Sequence, residues 1–188
     1  MNTAAIVLAG GSARRFATGD KTRAELGGIA LLDRVLSAVP AGCRVVVVGP
    51  PRPTARPVRF VLEEPAGGGP VAALAAGLRT VTAPDCFLLA ADLPFVTEAC
   101  LHALSTGCHR GQGDDGAVAL DDQGREQWLL SYWHADALRA VLPSHPDGIG
   151  LHSVLGALKV ARLAVVGTPP PWWDCDTPQA WDRAKEWL

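Results

Sequence analysis

The sequence lacks an excess of charge of either sign and lacks a long hydrophobic run. Its formal net charge is −2 over 188 residues, so the chain has no general electrostatic attraction for nucleic acid or for an acidic membrane surface. The apolar run at 4–9 is far shorter than the roughly 20 residues that span a bilayer. No basic segment precedes that run, as one does in a signal peptide. We therefore expect no nucleic-acid partner and no membrane partner.

The sequence also lacks any close pairing of its cysteines. None belongs to a C-x-x-C motif, and the scattered cysteines form no zinc-ligand pattern with a histidine partner, so a zinc site is not expected. The odd number and irregular spacing argue against a secreted fold held by disulfides. We expect reduced thiols and a cytoplasmic location. The five cysteines are Cys43, Cys86, Cys100, Cys108 and Cys175.

Strand and helix patterns alternate along a chain whose length suits one domain with a real core, which we expect to span 1–188. Short apolar runs predict buried strands, and apolar residues at helical spacing predict helices between them. In the second half, apolar segments flank "DDQGRE" and predict antiparallel strands joined by a turn. The pattern predicts a three-layer α/β domain, parallel at first, with a later hairpin insertion. Strands are predicted at 4–9, 44–49, 58–62, 86–91, 117–120, 127–133 and 159–166. Helices are predicted at 32–39, 70–78, 135–142 and 151–158, after the N-cap Thr97, and from 177 onward.

The stretch "LAGGSARRFATGDK" (8–21) follows the first predicted strand. It is not a Walker A loop, because Asp20 rather than glycine precedes Lys21, and it is not a G-x-G-x-x-G loop. Its adjacent glycines, Gly10 and Gly11, can expose backbone N–H groups to an anion, because glycine permits a close approach.

Cationic side chains follow those glycines in the same stretch. Arg14, Arg15 and Lys21 can neutralise phosphate, since arginine binds it bidentately and lysine acts as a compact charge. A solvated basic surface loop is the alternative. The position after the first strand favours a ligand site, because open α/β sheets bind ligands at the carboxyl ends of their strands.

Acidic residues occur after a second predicted strand and near the end of the chain. Asp92 ends the strand in "LLAADLPFV" (88–96), where a carboxylate beside a phosphate loop can hold Mg²⁺; its alternative is a turn-forming aspartate before proline. In "DCDTP" (174–178), Asp176 could be a second metal ligand or the N-cap of the last helix, and both roles can coexist. A further segment, "EEPAGGGPVAALAAGL" (63–78), places acids before a glycine-rich helix start.

Together these stretches resemble nucleotidyltransferases that attach a nucleotide to small phosphorylated molecules, in particular the molybdenum cofactor guanylyltransferase branch. The resemblance implies a three-layer Rossmann-like nucleotidyltransferase fold (GT-A-like) with a mixed, mostly parallel sheet. It places Leu8, Ala9 and Gly10 at the nucleoside, with Gly11 helping the turn. It also implies that Arg15 and Lys21 bind the triphosphate and take part in catalysis, and that Glu64 selects the base. It implies that Asp92 and Asp176 bind Mg²⁺ and that Asp92 is catalytic.

The resemblance also implies a reaction. GMP would pass from Mg-GTP to the phosphate of molybdopterin or the molybdenum cofactor, with release of pyrophosphate, and molybdoenzymes or cofactor-biosynthesis proteins are possible partners. Gly49 stands where some relatives have an asparagine, so a CTP-dependent relative acting on the same pterin stays open. A transferase for a sugar or alcohol phosphate is another alternative, and a non-catalytic nucleotide-binding subunit is a third.

The segment "REQWLLSYW" (125–133) lies where the resemblance places the acceptor. Arg125, Gln127 and Trp128 could hold a pterin-like ring by stacking and hydrogen bonding. The alternative is a core strand with Trp128 and Trp133 packed inside. The sequence assigns no role to any of the five histidines.

Overall fold

A computed structural model describes residues 2–10 and 24–188. Within them, a seven-stranded sheet has helices on both faces, and a short two-stranded hairpin lies apart from it. The strands are β1 (Thr3–Leu8), β2 (Glu25–Leu26), β3 (Ile29–Ala30), β4 (Arg44–Val48), β5 (Arg59–Val61), β6 (Asp85–Ala90), β7 (Gly116–Leu120), β8 (Glu126–His134) and β9 (Val160–Ala164). The helices are α1 (Leu31–Ala38), α2 (Pro70–Leu78), α3 (Glu98–Gly107), α4 (Ala135–Val141), α5 (Leu151–Leu155) and α6 (Pro178–Glu186).

The sheet is mixed and mostly parallel, as the resemblance implies. Its order is β5-β4-β1-β6-β8-β7-β9. Strand β8 runs antiparallel to both of its neighbours, whereas the other neighbouring pairs are parallel. The expected hairpin of β7 and β8 forms, but it is not an insertion beside the sheet. Strand β8 instead pairs with β6, and so continues the main sheet.

Two cores pack on opposite faces of this sheet because successive side chains of a strand point to opposite sides. In β1, Ala5 and Val7 face a core that includes α1 and α3. Ile6 and Leu8 face the other core, which includes α2, α4 and α5. The three layers predicted from the alternating pattern therefore form.

A third, smaller core holds the end of the chain against the sheet. Cys175 and Ala184 are buried together with Leu26 and Leu31. Because of this packing, the segment before α6 lies beside the carboxyl end of β6. The sequence pattern contains no signal for this contact, and the hairpin of β2 and β3 was not predicted.

The last helix is capped by Thr177 and not by Asp176. The Thr177 hydroxyl accepts a hydrogen bond from the backbone N–H of Ala180 at 3.1 Å, and Pro178 occupies the first turn. Threonine in this role satisfies a backbone donor at the helix start. The alternative in which Asp176 is the N-cap is therefore wrong. Thr97 caps α3 in the same way, as predicted, through the N–H of Cys100 at 3.2 Å.

No helix among residues 2–10 and 24–188 combines the length and apolar character needed to cross a bilayer.

The packing of β7 against β8 leaves no room for a side chain at Gly116. A Cβ there would lie 2.6 Å from the carbonyl oxygen of Tyr132 and 2.8 Å from Cδ2 of Trp133. We expect Gly116→Ala to lower the free energy of unfolding by about 1–3 kcal/mol, because overpacking displaces the core. Urea unfolding measures this, with Gly111→Ala as control because a Cβ there meets nothing within 4 Å. Equal stability of the two variants would contradict the packing.

Candidate active site

The carboxyl ends of four strands meet at one edge of the sheet. Leu8 pairs with Val48 of β4 on one side and with Ala90 of β6 on the other, and Val48 pairs in turn with Val61 of β5. Beyond these strand ends lies an open cleft of 1440 Å³. The cleft is therefore where an open α/β sheet is expected to bind its ligand.

Gly49 allows the ends of β1 and β4 to approach closely at this edge. The N–H of Ala9 donates to the carbonyl of Val48 at 2.8 Å, and a Cβ on Gly49 would lie 2.8 Å from the carbonyl oxygen of Ala9. A larger residue at position 49 would force these backbones apart. Leu8, Ala9 and Gly10, which are predicted to contact the nucleoside, line the cleft.

An acidic group lines the cleft beyond β6. Asp92 follows that strand and is partly buried, and its carbonyl accepts a hydrogen bond from the N–H of Cys175 at 3.2 Å. That bond brings the flanking residues Asp174 and Asp176 to the same cleft, and the N–H of Asp176 donates to Oδ1 of Asp174 at 3.3 Å. The structure thus brings together Asp92 and Asp176, the two acids expected to bind metal. Asp174 was missed, although the paired acids of "DCD" are a signal that could have indicated it.

The chemistry of this acidic group fits Mg²⁺. Carboxylate oxygens are the ligands it prefers, and it commonly takes one or two of them together with substrate phosphates and waters. Within the described part of the chain, no set of three or more histidine, cysteine or acidic side chains has an arrangement suited to a metal ion. Asp92 and Asp176 are therefore a candidate pair for a metal that the substrate helps to hold.

A second acidic group lies across the cleft, after β5. Glu63 accepts a hydrogen bond on Oε1 from the N–H of Gly67 at 3.0 Å, and a Cβ on Gly10 would lie 3.2 Å from its Oε2. Glu63 therefore connects the glycine-rich segment before α2 to the end of β1, a role that sequence reasoning did not assign. Glu64, predicted to select the base, also lines the cleft and is exposed.

Gly11, Arg15 and Lys21, the remaining predicted site residues, lie outside the described residues.

The described part of the cleft is acidic. Arg52 is the only arginine or lysine among its described lining residues. The Glu126 carboxylate is paired with Nε of Arg162 at 2.7 Å, outside the cleft lining. A triphosphate bound here requires added positive charge, because carboxylates repel its oxygens. The acidic lining residues are Glu63, Glu64, Asp92, Glu126, Asp174 and Asp176.

Aromatic side chains form the opposite end of the cleft. Trp128 lines it, with its indole stacked on fully buried Trp133 at 6.2 Å between ring centroids and 18° between ring planes. His152 of α5 lies 5.9 Å from the Trp128 ring and is exposed in the same cleft. Trp133 belongs to the core, as one alternative expected, and Trp128 packs against that core while lining the cleft. Pterin binding by Trp128 stays a prediction.

The two other residues predicted to contact the acceptor, Gln127 and Arg125, differ in position. Gln127 lines the cleft, and its Nε2 donates to Oδ2 of Asp121 at 3.0 Å. Arg125 is exposed and is not among the lining residues.

One cysteine does have a histidine partner, but at the opposite end of the sheet. The Sγ of Cys108 lies 3.5 Å from Nε2 of His134, whose Nδ1 lies 2.7 Å from Oδ1 of Asp85. Burial, together with the Asp114 and Asp85 carboxylates, raises the pKa of the Cys108 thiol to about 11. The thiol is therefore protonated at neutral pH, and the group is a hydrogen-bonded link between β6, β8 and the end of α3. All five cysteines are free thiols, as expected.

Comparison with known proteins identifies the family. The family model described as the MobA-like NTP transferase domain matches residues 5–165. The chain belongs to this family. It is therefore a nucleotidyltransferase, and the glycine loop, the strand-end aspartate and the antiparallel β8 all fall inside the matched region.

Two relatives from different organisms carry the same functional name. The chain is 32% identical over 196 positions to a probable molybdenum cofactor guanylyltransferase of Synechococcus elongatus, covering 98% of this chain and 99% of that protein. It is also 32% identical over 154 positions to the molybdenum cofactor guanylyltransferase of Rhodopseudomonas palustris, covering 74% of this chain and 72% of that protein.

Solved structures share the fold. Molybdopterin-guanine dinucleotide biosynthesis protein A from Archaeoglobus fulgidus superposes with a TM-score of 0.73 at 25% identity, covering 97% of this chain and 96% of that one. The 2-C-methyl-D-erythritol 4-phosphate cytidylyltransferase of Thermus thermophilus superposes with a TM-score of 0.71 at 18% identity, covering 99% and 98%. The second likeness concerns the fold alone.

Proposed function

We propose that this nucleotidyltransferase transfers GMP from Mg-GTP to the terminal phosphate of molybdopterin or the molybdenum cofactor and releases pyrophosphate. The observation that carries the proposal is the meeting of Asp92 with the Asp174–Asp176 segment beside the carboxyl end of β1. The names of the full-length relatives support the choice of GTP and of the cofactor.

The reaction places a different demand on each end of the cleft. Asp92 and Asp176 would hold Mg²⁺, which would supply positive charge to the triphosphate. Ala9 and Gly10 offer backbone to the nucleoside, and the Trp128 indole offers a flat surface on which a pterin can stack. Arg15 and Lys21 would neutralise the leaving pyrophosphate, as they do in the pattern that the sequence resembles.

Attack needs no protein base. The acceptor is a phosphate and is already ionised at neutral pH, so its oxygen can attack the α-phosphorus in line as pyrophosphate leaves. The protein's contribution is to position the two substrates and to stabilise charge. The described residues of the cleft suit this chemistry, since they offer carboxylates, backbone and an aromatic surface.

A panel of nucleoside triphosphates tests the proposal. With Mg²⁺ present, GTP at about 100 times its Kd should raise Tm by about 5–10 °C, because ligand at that level contributes roughly 2.7 kcal/mol to stability. CTP, ATP and UTP should raise it much less. Addition of molybdopterin to Mg-GTP should then release pyrophosphate.

The same panel separates the alternatives. Preference for CTP, with pyrophosphate released on addition of the pterin, would mean a cytidylyltransferase. Release only with a sugar or alcohol phosphate would change the acceptor class. Nucleotide binding without any release would mean a non-catalytic subunit and would contradict the proposal.

A further inference from the structure

The loop that follows β4 carries a cation into the cleft. Strands β4 and β5 are paired neighbours, and the N–H of Gly49 continues their ladder by donating to the carbonyl of Val61 at 2.9 Å. The segments that follow, which contain Arg52 and Glu63, therefore leave the sheet side by side, and both line the cleft. Arg52 is the only arginine or lysine among the described lining residues, as noted above.

This loop is held rigidly although it has little core of its own. Pro50, Pro51 and Pro53 each fix a backbone φ angle. The N–H of Ala55 donates to Oδ1 of Asp33 in α1 at 2.8 Å. A loop restrained in this way loses little conformational entropy when it binds a ligand.

Two arginines of the loop have different environments. The Arg56 guanidinium donates to carbonyls after α1, including those of Val39 at 2.6 Å and Cys43 at 3.2 Å, and so anchors the loop. The Nε–H of Arg52 donates to the carbonyl of Pro50 at 3.1 Å, which orients its guanidinium from within the loop. Only Arg52 lines the cleft.

Arg52 and Asp92 follow strands that lie on opposite sides of β1. The candidate metal ligand Asp92 follows β6, and the sheet order places β1 between β6 and β4. At about 4.8 Å per strand, β4 lies roughly 10 Å from β6. A nucleotide with its phosphates beside Asp92 and its sugar over Ala9 and Gly10 therefore extends its base toward the loop after β4.

We propose that Arg52 selects a purine with acceptor groups on its major-groove edge, by donating hydrogen bonds to O6 and N7 of guanine. This inference rests on the proposed function for the direction in which the nucleotide lies. A guanidinium fork matches these two acceptors, and this is the commonest specific contact to guanine in nucleic-acid recognition. Adenine places a donor at C6, and cytosine has neither acceptor in that arrangement, so both lose the paired contact.

Equilibrium binding of Mg-nucleotides to the full chain, without acceptor, tests the assignment. We expect Arg52→Ala to raise the Kd for GTP by about 10- to 100-fold and to leave the Kd for CTP unchanged. The 7-deaza analogue of GTP lacks N7 and should bind the unaltered protein about tenfold or more weakly than GTP. In Arg52→Ala that difference should vanish. The same substitution should raise the Kd for ITP by the same factor as the Kd for GTP, because ITP keeps O6 and N7.

Arg59→Ala is the matched control, because Arg59 is exposed on β5 and is not a lining residue of the cleft. An equal loss for GTP, ATP and CTP in Arg52→Ala would place the contact on phosphate or ribose and would overturn the assignment. An unchanged Kd for GTP would also overturn it.

Failure of the proposed function gives a different result. If GTP binding depends on Arg52 and on N7 but no pyrophosphate is released with molybdopterin, the base assignment stands and the acceptor is wrong. If CTP binds more tightly than GTP and Arg52→Ala has no effect, both are wrong.

Discussion

Replacement of Asp92 by asparagine should lower the rate of pyrophosphate release by about 10²–10³-fold, the scale expected when one charge that stabilises the transition state is removed. Asparagine keeps the shape of the side chain but loses the negative charge that would hold Mg²⁺. The contact to Cys175 uses the backbone carbonyl of Asp92, so it survives the substitution. Steady-state release at saturating GTP measures the effect, and a higher Mg²⁺ requirement should accompany it.

Two further measurements show whether this loss concerns the metal. The Tm of Asp92→Asn should change by less than about 4 °C, because Asp92 is only partly buried and lies outside the packed cores. Asp122→Asn, in an exposed turn, is the matched control and should retain full activity. Activity of Asp92→Asn close to that of the unaltered protein would contradict the role given to Asp92.

Truncation of Trp133 should give the largest loss of stability. Its indole is fully buried between β8 and the helices of one face, and its Nε1–H donates to the Ser131 hydroxyl at 2.7 Å. We expect Trp133→Ala to lower the free energy of unfolding by about 3–5 kcal/mol, because it removes a large side chain and leaves a cavity. Urea unfolding followed by circular dichroism measures this loss.

Trp133→Phe is the milder comparison, because it leaves most of the buried aromatic surface in place. It keeps an aromatic ring beneath Trp128 and should cost about 1–2 kcal/mol, from the lost hydrogen bond and the smaller volume. Because Trp133 supports Trp128 from behind, both variants should raise KM for the acceptor more than KM for GTP. A loss below 1 kcal/mol in Trp133→Ala would contradict the buried position.

Much of the fold follows from patterns that are local in sequence. The runs at 4–9, 44–49 and 86–91 are apolar because their strands are covered on both faces, and this is visible without knowledge of their neighbours. Thr97 marks the start of α3 because a cap acts within one turn. The place of β8 within the main sheet could not be predicted, because a turn between two strands does not show which third strand will pair with them.

Some residues of the candidate site could likewise be predicted from the sequence, whereas others could not. The position of Asp92 could be predicted, because a residue that directly follows a buried parallel strand must lie at the carboxyl end of that strand. The positions of Glu63 and Arg52 in the cleft could not be predicted, since adjacent acids and a proline-rich loop are equally typical of a solvated surface. Their significance comes from two contacts across the chain, that of Glu63 with the end of β1 and that of the loop after β4 with α1.

The sequence by itself determined the alternation of strands and helices, the strand-end position of Asp92 and the glycine loop, because each depends on neighbouring residues. Only the tertiary structure decided that the segment around Asp176 meets Asp92, that Trp128 faces the cleft while Trp133 is buried, and that Arg52 enters the cleft. The physical reason is that these contacts depend on packing between elements distant in sequence. Cys175 is buried in the small core beneath α6, and this packing places its two acidic neighbours at the cleft.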